Sequence, residues 1–334
     1  MSITSIPQDQ LSRRKLLQAM LAASVPASTL TGCVSNAGAS EPELVWGRRG
    51  QSEGRFLKPR AVTIDRMDRL YIVDTTGRIQ VFDADGNWIR QWKIPQTKNG
   101  RPTGMAIDRG ESPEQDRLLV ADTHYYRMLV FTLEGERLEE AEIGGTSGRK
   151  PGEFAFVTDA VSDSEGNYYV GEYGDSDRIQ KFDPEGQFVL EWGGTGREPE
   201  RFVRPQSLVV YDHVLWVCDA CNHRIQAFDL RESPPRLIDI WGTPGSNPGQ
   251  FHYPYDMVVL PGGDELLICE YGNQRIQRLT ATGEPMAIWG SPGFEPGQLY
   301  QPWGLVIDSK ERVHILDSNN HRVQRVRIPN TLPT

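Results

Sequence analysis

The sequence predicts an all-β fold, a six-bladed β-propeller of four-stranded blades, closed by an N-terminal strand that completes the last blade. Three observations carry this prediction. Six segments align on an Arg followed by an apolar residue, at Arg78, Arg127, Arg178, Arg224, Arg275 and Arg322, at intervals of 46 to 51 residues. A repeat of that length, cut into short apolar runs by Gly, Asp and Pro, fits a four-stranded blade and exceeds most helical repeats. The 334-residue chain also carries 33 Gly and 23 Pro, about one residue in six against about one in eight usually, as a turn-rich β fold needs. Finally, the sixth repeat stops after three strands near Ile328, and the missing Trp-Gly strand stands upstream, at Leu44-Val45-Trp46-Gly47. Trp46 precedes Pro59 by the same thirteen residues that separate Trp192 from Pro205, Trp241 from Pro254 and Trp289 from Pro302. Placing this strand in the last blade removes an open sheet edge.

The first element, residues 1–32, reads as an export signal. A basic stretch at Arg13, Arg14 and Lys15 precedes a mildly apolar run from Leu16 to Leu30 that contains Pro26. Fifteen such residues are too short and too polar to span a bilayer. Ser12-Arg13-Arg14-Lys15-Leu16-Leu17-Gln18 resembles the twin-arginine export motif, departing from its commonest form at Leu16 and Gln18. Leu30-Thr31-Gly32-Cys33 resembles a bacterial lipobox, which implies cleavage before Cys33 and lipid attachment to its thiol. More than one acyl chain on Cys33 gives a stable anchor, which a single chain does not. Residues 33–43 are then a lipidated linker, and the expected location is the bacterial cell envelope, on the periplasmic face of a membrane in a Gram-negative host. The twin-arginine translocase is the partner expected during export. Without residues 1–32 the net charge moves from −9 to −11.

The propeller occupies residues 44–328, followed by a tail at 329–334. Each repeat opens on a Pro-led apolar strand, such as Pro59-Arg60-Ala61-Val62-Thr63-Ile64. An acid comes four to six residues before each repeat Arg: Asp74, Asp122, Glu172, Asp219, Glu270 and Asp317. A Trp-Gly strand closes the unit, as in Glu191-Trp192-Gly193. The clearest copy is Val217-Cys218-Asp219-Ala220-Cys221-Asn222-His223-Arg224-Ile225-Gln226-Ala227-Phe228. This order resembles the NHL-repeat propellers, and the resemblance covers residues 44 to 328. The recurring Arg and acids read as inter-blade ion pairs and hydrogen bonds that fix packing. Phe56, Phe154, Phe202, Phe251 and Leu299 read as seals for the loops between blades.

What recurs six times cannot mark one site, so function is sought where the copies differ. The residue after the opening Pro faces the axial opening of a propeller. It is Arg60, Thr103, Thr158, Gln206, Tyr255 and Trp303 in blades one to six, with Val157 in place of Pro in the third. Such a ring reads either as a ligand-binding site, with aromatic faces and a few fixed polar groups, or as ordinary loops around a water-filled channel. The next residue is acidic only in blades three and five, at Asp159 and Asp256. The same two blades carry Glu172-Tyr173-Gly174 and Glu270-Tyr271-Gly272. The acids read either as a compensating exchange within the blade or as ligands for calcium, or as acid and base.

The NHL resemblance extends to the peptidyl-hydroxyglycine amidating lyases, which use a zinc held by axial His. Where those enzymes have Pro-His-Ser, this chain has Pro205-Gln206-Ser207, so a zinc lyase is disfavoured. Cys218, Cys221 and Cys269 lack a fourth ligand for zinc and read as small core residues, a bridge being open to them outside the cytoplasm. The expected function is a lipid-anchored propeller that binds a protein, peptide or glycan at its axial face, with no cofactor. The alternative is a metal-assisted hydrolase or lyase, lactonase-like or amidating-lyase-like, using axial acids with calcium or zinc. Nucleic acid is excluded as a partner by a net charge of −11 without a basic stripe.

Overall fold

Runs of five to seven residues rich in Val, Ile, Leu and Tyr, bounded by Gly, Asp and Pro, are long enough for a strand and too short for a stable helix. The computed structural model describes residues 41–330, and there these runs form a ring of strands. After β1 (Leu44–Trp46), blade 1 is β2 (Pro59–Ile64), β3 (Leu70–Asp74), β4 (Arg78–Phe82) and β5 (Trp88–Lys93). Blade 2 is β6 (Gly104–Asp108), β7 (Arg117–Asp122), β8 (Arg127–Thr132) and β9 (Ile143–Gly144). Blade 3 is β10 (Phe156–Ser162), β11 (Tyr168–Tyr173), β12 (Arg178–Phe182) and β13 (Phe188–Gly193). Blade 4 is β14 (Pro205–Tyr211), β15 (Val214–Asp219), β16 (Arg224–Asp229) and β17 (Arg236–Trp241). Blade 5 is β18 (Pro254–Val259), β19 (Glu265–Glu270), β20 (Arg275–Thr280) and β21 (Pro285–Trp289). Blade 6 is β22 (Gly304–Ile307), β23 (Val313–Asp317) and β24 (Arg322–Val326), completed by β1.

All six sheets are four-stranded and antiparallel, and the innermost strands β2, β6, β10, β14, β18 and β22 contact one another in a closed circle. The predicted closure is present. β1 pairs with β24 in the register Leu44↔Arg325, Val45↔Gln324 and Trp46↔Val323. Trp46 then packs on Phe82 and Phe56 of blade 1, with ring centroids 4.7 and 5.8 Å apart. One strand thus completes blade 6 and also seals it against blade 1. The export signal, Cys33 and most of the linker lie outside the described residues, as do residues 331–334.

The apolar core is distributed over six clusters, one at each seam between neighbouring blades. Phe56, Phe154, Phe202, Phe251 and Leu299 are fully buried, each in the loop that leads into a blade. The recurring polar residues hold those loops. Each repeat Arg meets its acid at 2.5–3.1 Å. The pair lies within one blade, across the turn from second to third strand, rather than between blades as the spacing suggested. Direct register partners such as Asp219↔Arg224 and Glu270↔Arg275 show why. The bonds that do cross from the preceding blade run to the incoming loop. The Arg55, Glu153, Arg201, Gln250 and Gln298 carbonyls each accept from a repeat Arg and from the repeat Gln two residues later. Buried polar groups are thereby paired, and each loop is locked.

Blade 2 departs from this pattern. Leu129 stands where the other blades have Gln, and the incoming loop has no buried Phe. Arg127 keeps its pair with Asp122, bonds the Gln96 side chain at 3.1 Å and lies 5.6 Å from the Tyr125 ring centre, and among the described residues it holds no loop carbonyl.

Candidate functional site

Antiparallel pairing sets the start of each innermost strand beside the end of its neighbour, as in Pro59↔Asp74, Pro205↔Asp219 and Pro254↔Glu270. One end of the ring axis is therefore built from strand starts and from the loops beside them. In blades 1, 3, 4 and 5 the register slips there by one residue, and the unpaired residues are Arg60, Thr158, Gln206 and Tyr255. A β-bulge frees a residue from the ladder and re-aims its side chain. Thr103 and Trp303 hold the equivalent place just before β6 and β22. The sequence-predicted ring is thus a ring of bulge positions and their equivalents.

The six side chains are not used alike. Thr103 donates to the Thr158 carbonyl at 2.9 Å and pairs with the Thr123 hydroxyl, while Thr158 donates to the Pro205 carbonyl. Both are buried and tie neighbouring innermost strands together. Gln206 is buried and accepts from Arg204 Nε at 2.8 Å. Arg60, Tyr255 and Trp303 converge. The Arg60 guanidinium lies 4.9 Å from the Trp303 ring centre, and Trp303 meets Tyr255 edge-on at 5.1 Å.

Several residues of this cluster were not anticipated. Tyr271 stacks on Tyr255 at 4.5 Å and meets Trp303 at 5.7 Å. Arg204 lies over Tyr173 at 4.8 Å and over Tyr255 at 5.3 Å. Arg204 precedes the opening Pro and holds φ at +63°, in the left-handed region, as do Lys58, Tyr253 and Gln301 at the same repeat position. Such a conformation is disfavoured for residues with a Cβ and persists where surrounding structure imposes it. On the blade 2–3 side, His124 meets Phe156 at 5.2 Å, and Phe156 meets Tyr173 at 5.3 Å. The position after each acid holds Thr75, Thr123, Ala220 and Ser318 in blades 1, 2, 4 and 6, but Tyr173 and Tyr271 in blades 3 and 5. That alternation was the available signal for the two tyrosines.

The electrostatics follow from burial. Arg60 is held below the usual guanidinium range by burial and then by the positive charge of Arg204, with Arg101 adding to it. Burial, then Arg60 and Arg101, likewise hold the His124 imidazole below its usual value. Burial pushes the Tyr255 phenol up to about 12, with Arg204 opposing.

Asp159 and Asp256 lie one residue deeper. Asp159 accepts the Leu208 and Ala160 amides at 3.0 Å, and Asp256 accepts Leu305 and Met257 amides and the Ser207 hydroxyl at 2.9 Å. Leu208 and Leu305 belong to the next blade, so each acid fastens one innermost strand to its neighbour. A Cβ at Gly104 would sit 2.3 Å from an Asp159 oxygen, which is why a glycine faces it. Burial raises Asp159 to about 8, helped by the charge of Asp256, and burial raises Asp256 to about 7.

Glu172 is tied to the Ala155 amide and Arg178, and Glu270 to the His252 amide and Arg275. Among the described residues no three His, Cys, Asp or Glu side chains converge as ligands for one ion. The histidines do not supply an axial zinc set. His321 Nδ1 accepts from the Lys58 amide, His223 Nδ1 accepts from the Tyr253 amide, and His314 sits on Asp308 at 3.0 Å. Cys218, Cys221 and Cys269 are free thiols, with Cys218 and Cys269 buried.

Residues 299–326 match the family model of the NHL repeat. The chain is 36% identical over 138 residues to the peptidyl-glycine alpha-amidating monooxygenase of Mus musculus, a stretch that covers 38% of this chain and 13% of that protein. It is 27% identical over 155 residues to the NHL repeat-containing protein 3 of Homo sapiens, covering 45% of this chain and 43% of that one. Each match spans less than half of the relative's own length. A gluconolactonase from Xanthomonas campestris superposes with a TM-score of 0.59 at 13% identity, over 83% of this chain and 88% of that one. At that identity the likeness is one of fold. The chain is a six-bladed β-propeller whose last blade matches the NHL repeat.

Proposed function

We propose that the propeller is a binding module, held in the cell envelope by lipid on Cys33 after twin-arginine export, whose axial face docks a protein, peptide or glycan. The observation that supports this most is the division of labour among polar side chains. The repeated Arg, Gln and acids are spent on internal pairs. The non-repeated Arg60, Arg204, Tyr173, Tyr255, Tyr271 and Trp303 gather at one end of the axis, at bulges and strand ends where the copies differ. Aromatic faces with a few polar groups are the usual make-up of a recognition surface.

The reading is tested on peptide and glycan arrays with purified protein and two variants, Trp303→Ala and Tyr255→Ala. Wild-type signals lost in both variants, with melting temperatures preserved, support it. Array signals that ignore both substitutions overturn it. Anchoring is tested separately by Cys33→Ser, which is expected to release the protein from the membrane fraction.

A metal-assisted hydrolase or lyase is the second reading, favoured by one feature: Asp159 and Asp256 are near-neutral acids by virtue of burial. Against it stands the backbone, since both oxygens of each carboxylate accept a backbone amide. Calcium or zinc in stoichiometric amount in purified protein, lost on Asp256→Ala, would favour the enzyme.

A further inference from the structure

Resting on the axial face as the binding surface, we propose that the bound ligand presents an anionic group, a carboxylate or a phosphate, beside a flat apolar face, and that the anion sits between Arg60 and Arg204. The two arginines stand on blades 1 and 4, opposite each other in a ring of six, and Arg101 joins them from blade 2.

Pairing, the cost of the arrangement and the charge of the rest of the molecule all point there. The first is pairing. Each of the six repeat arginines has a carboxylate within 3.1 Å. Among the described residues Arg60, Arg101 and Arg204 have none within 4.0 Å. Arg101 is spent on the Gly100 and Thr75 carbonyls, and Arg204 gives only Nε, to Gln206. A guanidinium presents five N–H donors in its plane, and stacking over a ring leaves that edge available for a carboxylate or phosphate.

The second is the cost of the arrangement. Burial, and then the neighbouring Arg204 charge, hold the Arg60 guanidinium below its usual range; a half-buried cation with no carboxylate beside it is short of a counter-ion, and a bound anion supplies it. The third is contrast with the rest of the molecule. The whole chain has a formal charge of −9. An anion is repelled by such a surface in general and drawn only to the end of the axis, which favours a ligand with a single charged tip over a polyanion. The flat apolar face is argued from Trp303, Tyr255 and Tyr271, whose rings lie within 5.7 Å of one another beside Arg60.

The test uses three small probes with the purified full chain: 2-naphthoate, 2-naphthyl phosphate and the neutral 2-naphthamide, read by calorimetry. At least one anion is expected to bind tenfold or more tightly than the amide, and the better of the two identifies carboxylate or phosphate as the group recognised. Arg60→Gln and Arg204→Gln are each expected to weaken that anion about tenfold, which is about 1.4 kcal/mol, and to leave the amide unchanged. Arg60→Lys, which keeps the charge, is expected to retain part of the affinity. Equal binding of amide and anions, indifference to both Gln variants, or no binding by any probe overturns the proposal. If the amide binds and Trp303→Ala abolishes it, the axial face remains the binding surface and only the anion falls. If array ligands also ignore Trp303→Ala, the binding reading falls with it.

Discussion

The same side chain serves two regions of this molecule in opposite ways. In the blades, Arg178 and its counterparts are closed off: each faces a buried acid, and all but Arg127 also hold a loop carbonyl. At the end of the axis, Arg60 and Arg204 face aromatic rings and one another. The first arrangement recurs with the repeat and holds the frame. The second occurs once and sets the Arg204 charge near a half-buried Arg60 that has no carboxylate of its own. Repetition marks what is needed for folding, and departure from it marks what has another use.

The frame can be broken most completely at its seam. Removing residues through Trp46 takes β1 out of blade 6 and uncovers Phe56 and Phe82. The truncated chain is expected to lose cooperative melting, and a truncation that melts like the intact chain would refute the closure. Arg178→Ala comes next. It leaves the buried Glu172 without its counter-ion and takes a donor from the Arg149 and Glu153 carbonyls, an expected loss of about 3–5 kcal/mol in urea unfolding. Arg127→Ala sharpens the point: it serves no loop carbonyl, and burial already raises Asp122 to about 6. Its loss is expected to be smaller, about 1–2 kcal/mol.

A pH effect follows from the deeper acids. Asp159 and Asp256 titrate at about 8 and about 7 when folded and at about 3.9 when unfolded. The folded state therefore binds protons that the unfolded state has released. The stability they contribute is full below about pH 4 and is lost as pH rises through 7 to 8, by up to about 1.4 kcal/mol per unit and group. Unfolding at pH 5.5 and 8.0 measures this, and Asp159→Asn should flatten the slope. The smallest effect is expected on the other side of the comparison. Arg60→Gln should move stability by less than about 1 kcal/mol, or raise it slightly, since no carboxylate partner is lost and only the contact with the Trp303 ring goes.

Most of the frame was legible in the sequence, because a period read six times averages out local ambiguity. The strand order, the borrowed Trp46 strand and the buried Phe seals all follow from spacing. The direction of the Arg–acid pairs did not, although a hairpin that places Asp219 opposite Arg224 was implicit in a five-residue separation. At the axial end, position gave Arg60, Tyr255 and Trp303. It also gave Thr103 and Thr158, whose hydroxyls turn aside to bond the next strand, because a short polar side chain reaches a neighbouring carbonyl before it reaches the axis. Arg204 was missed for a backbone reason: its aim depends on a left-handed φ just before a proline, which residue type alone does not announce. Tyr173 and Tyr271 stand out as departures of blades 3 and 5, but their place in the cluster depends on Arg204 and Trp303, which come from the loops leading into blades 4 and 6.

The bulges at the head of β2, β10, β14 and β18 have a bearing on how such a protein changes over time. A bulge residue carries no ladder bond, so its replacement leaves the hairpin register intact. At β2 and β18 the ring therefore offers sockets whose occupants can be exchanged while the wheel that holds them stays the same, whereas Thr158 at β10 keeps a bond to the next strand. A lineage, or an engineer, can rewrite the ligand at Arg60 or Tyr255 without first finding mutations that restore the fold.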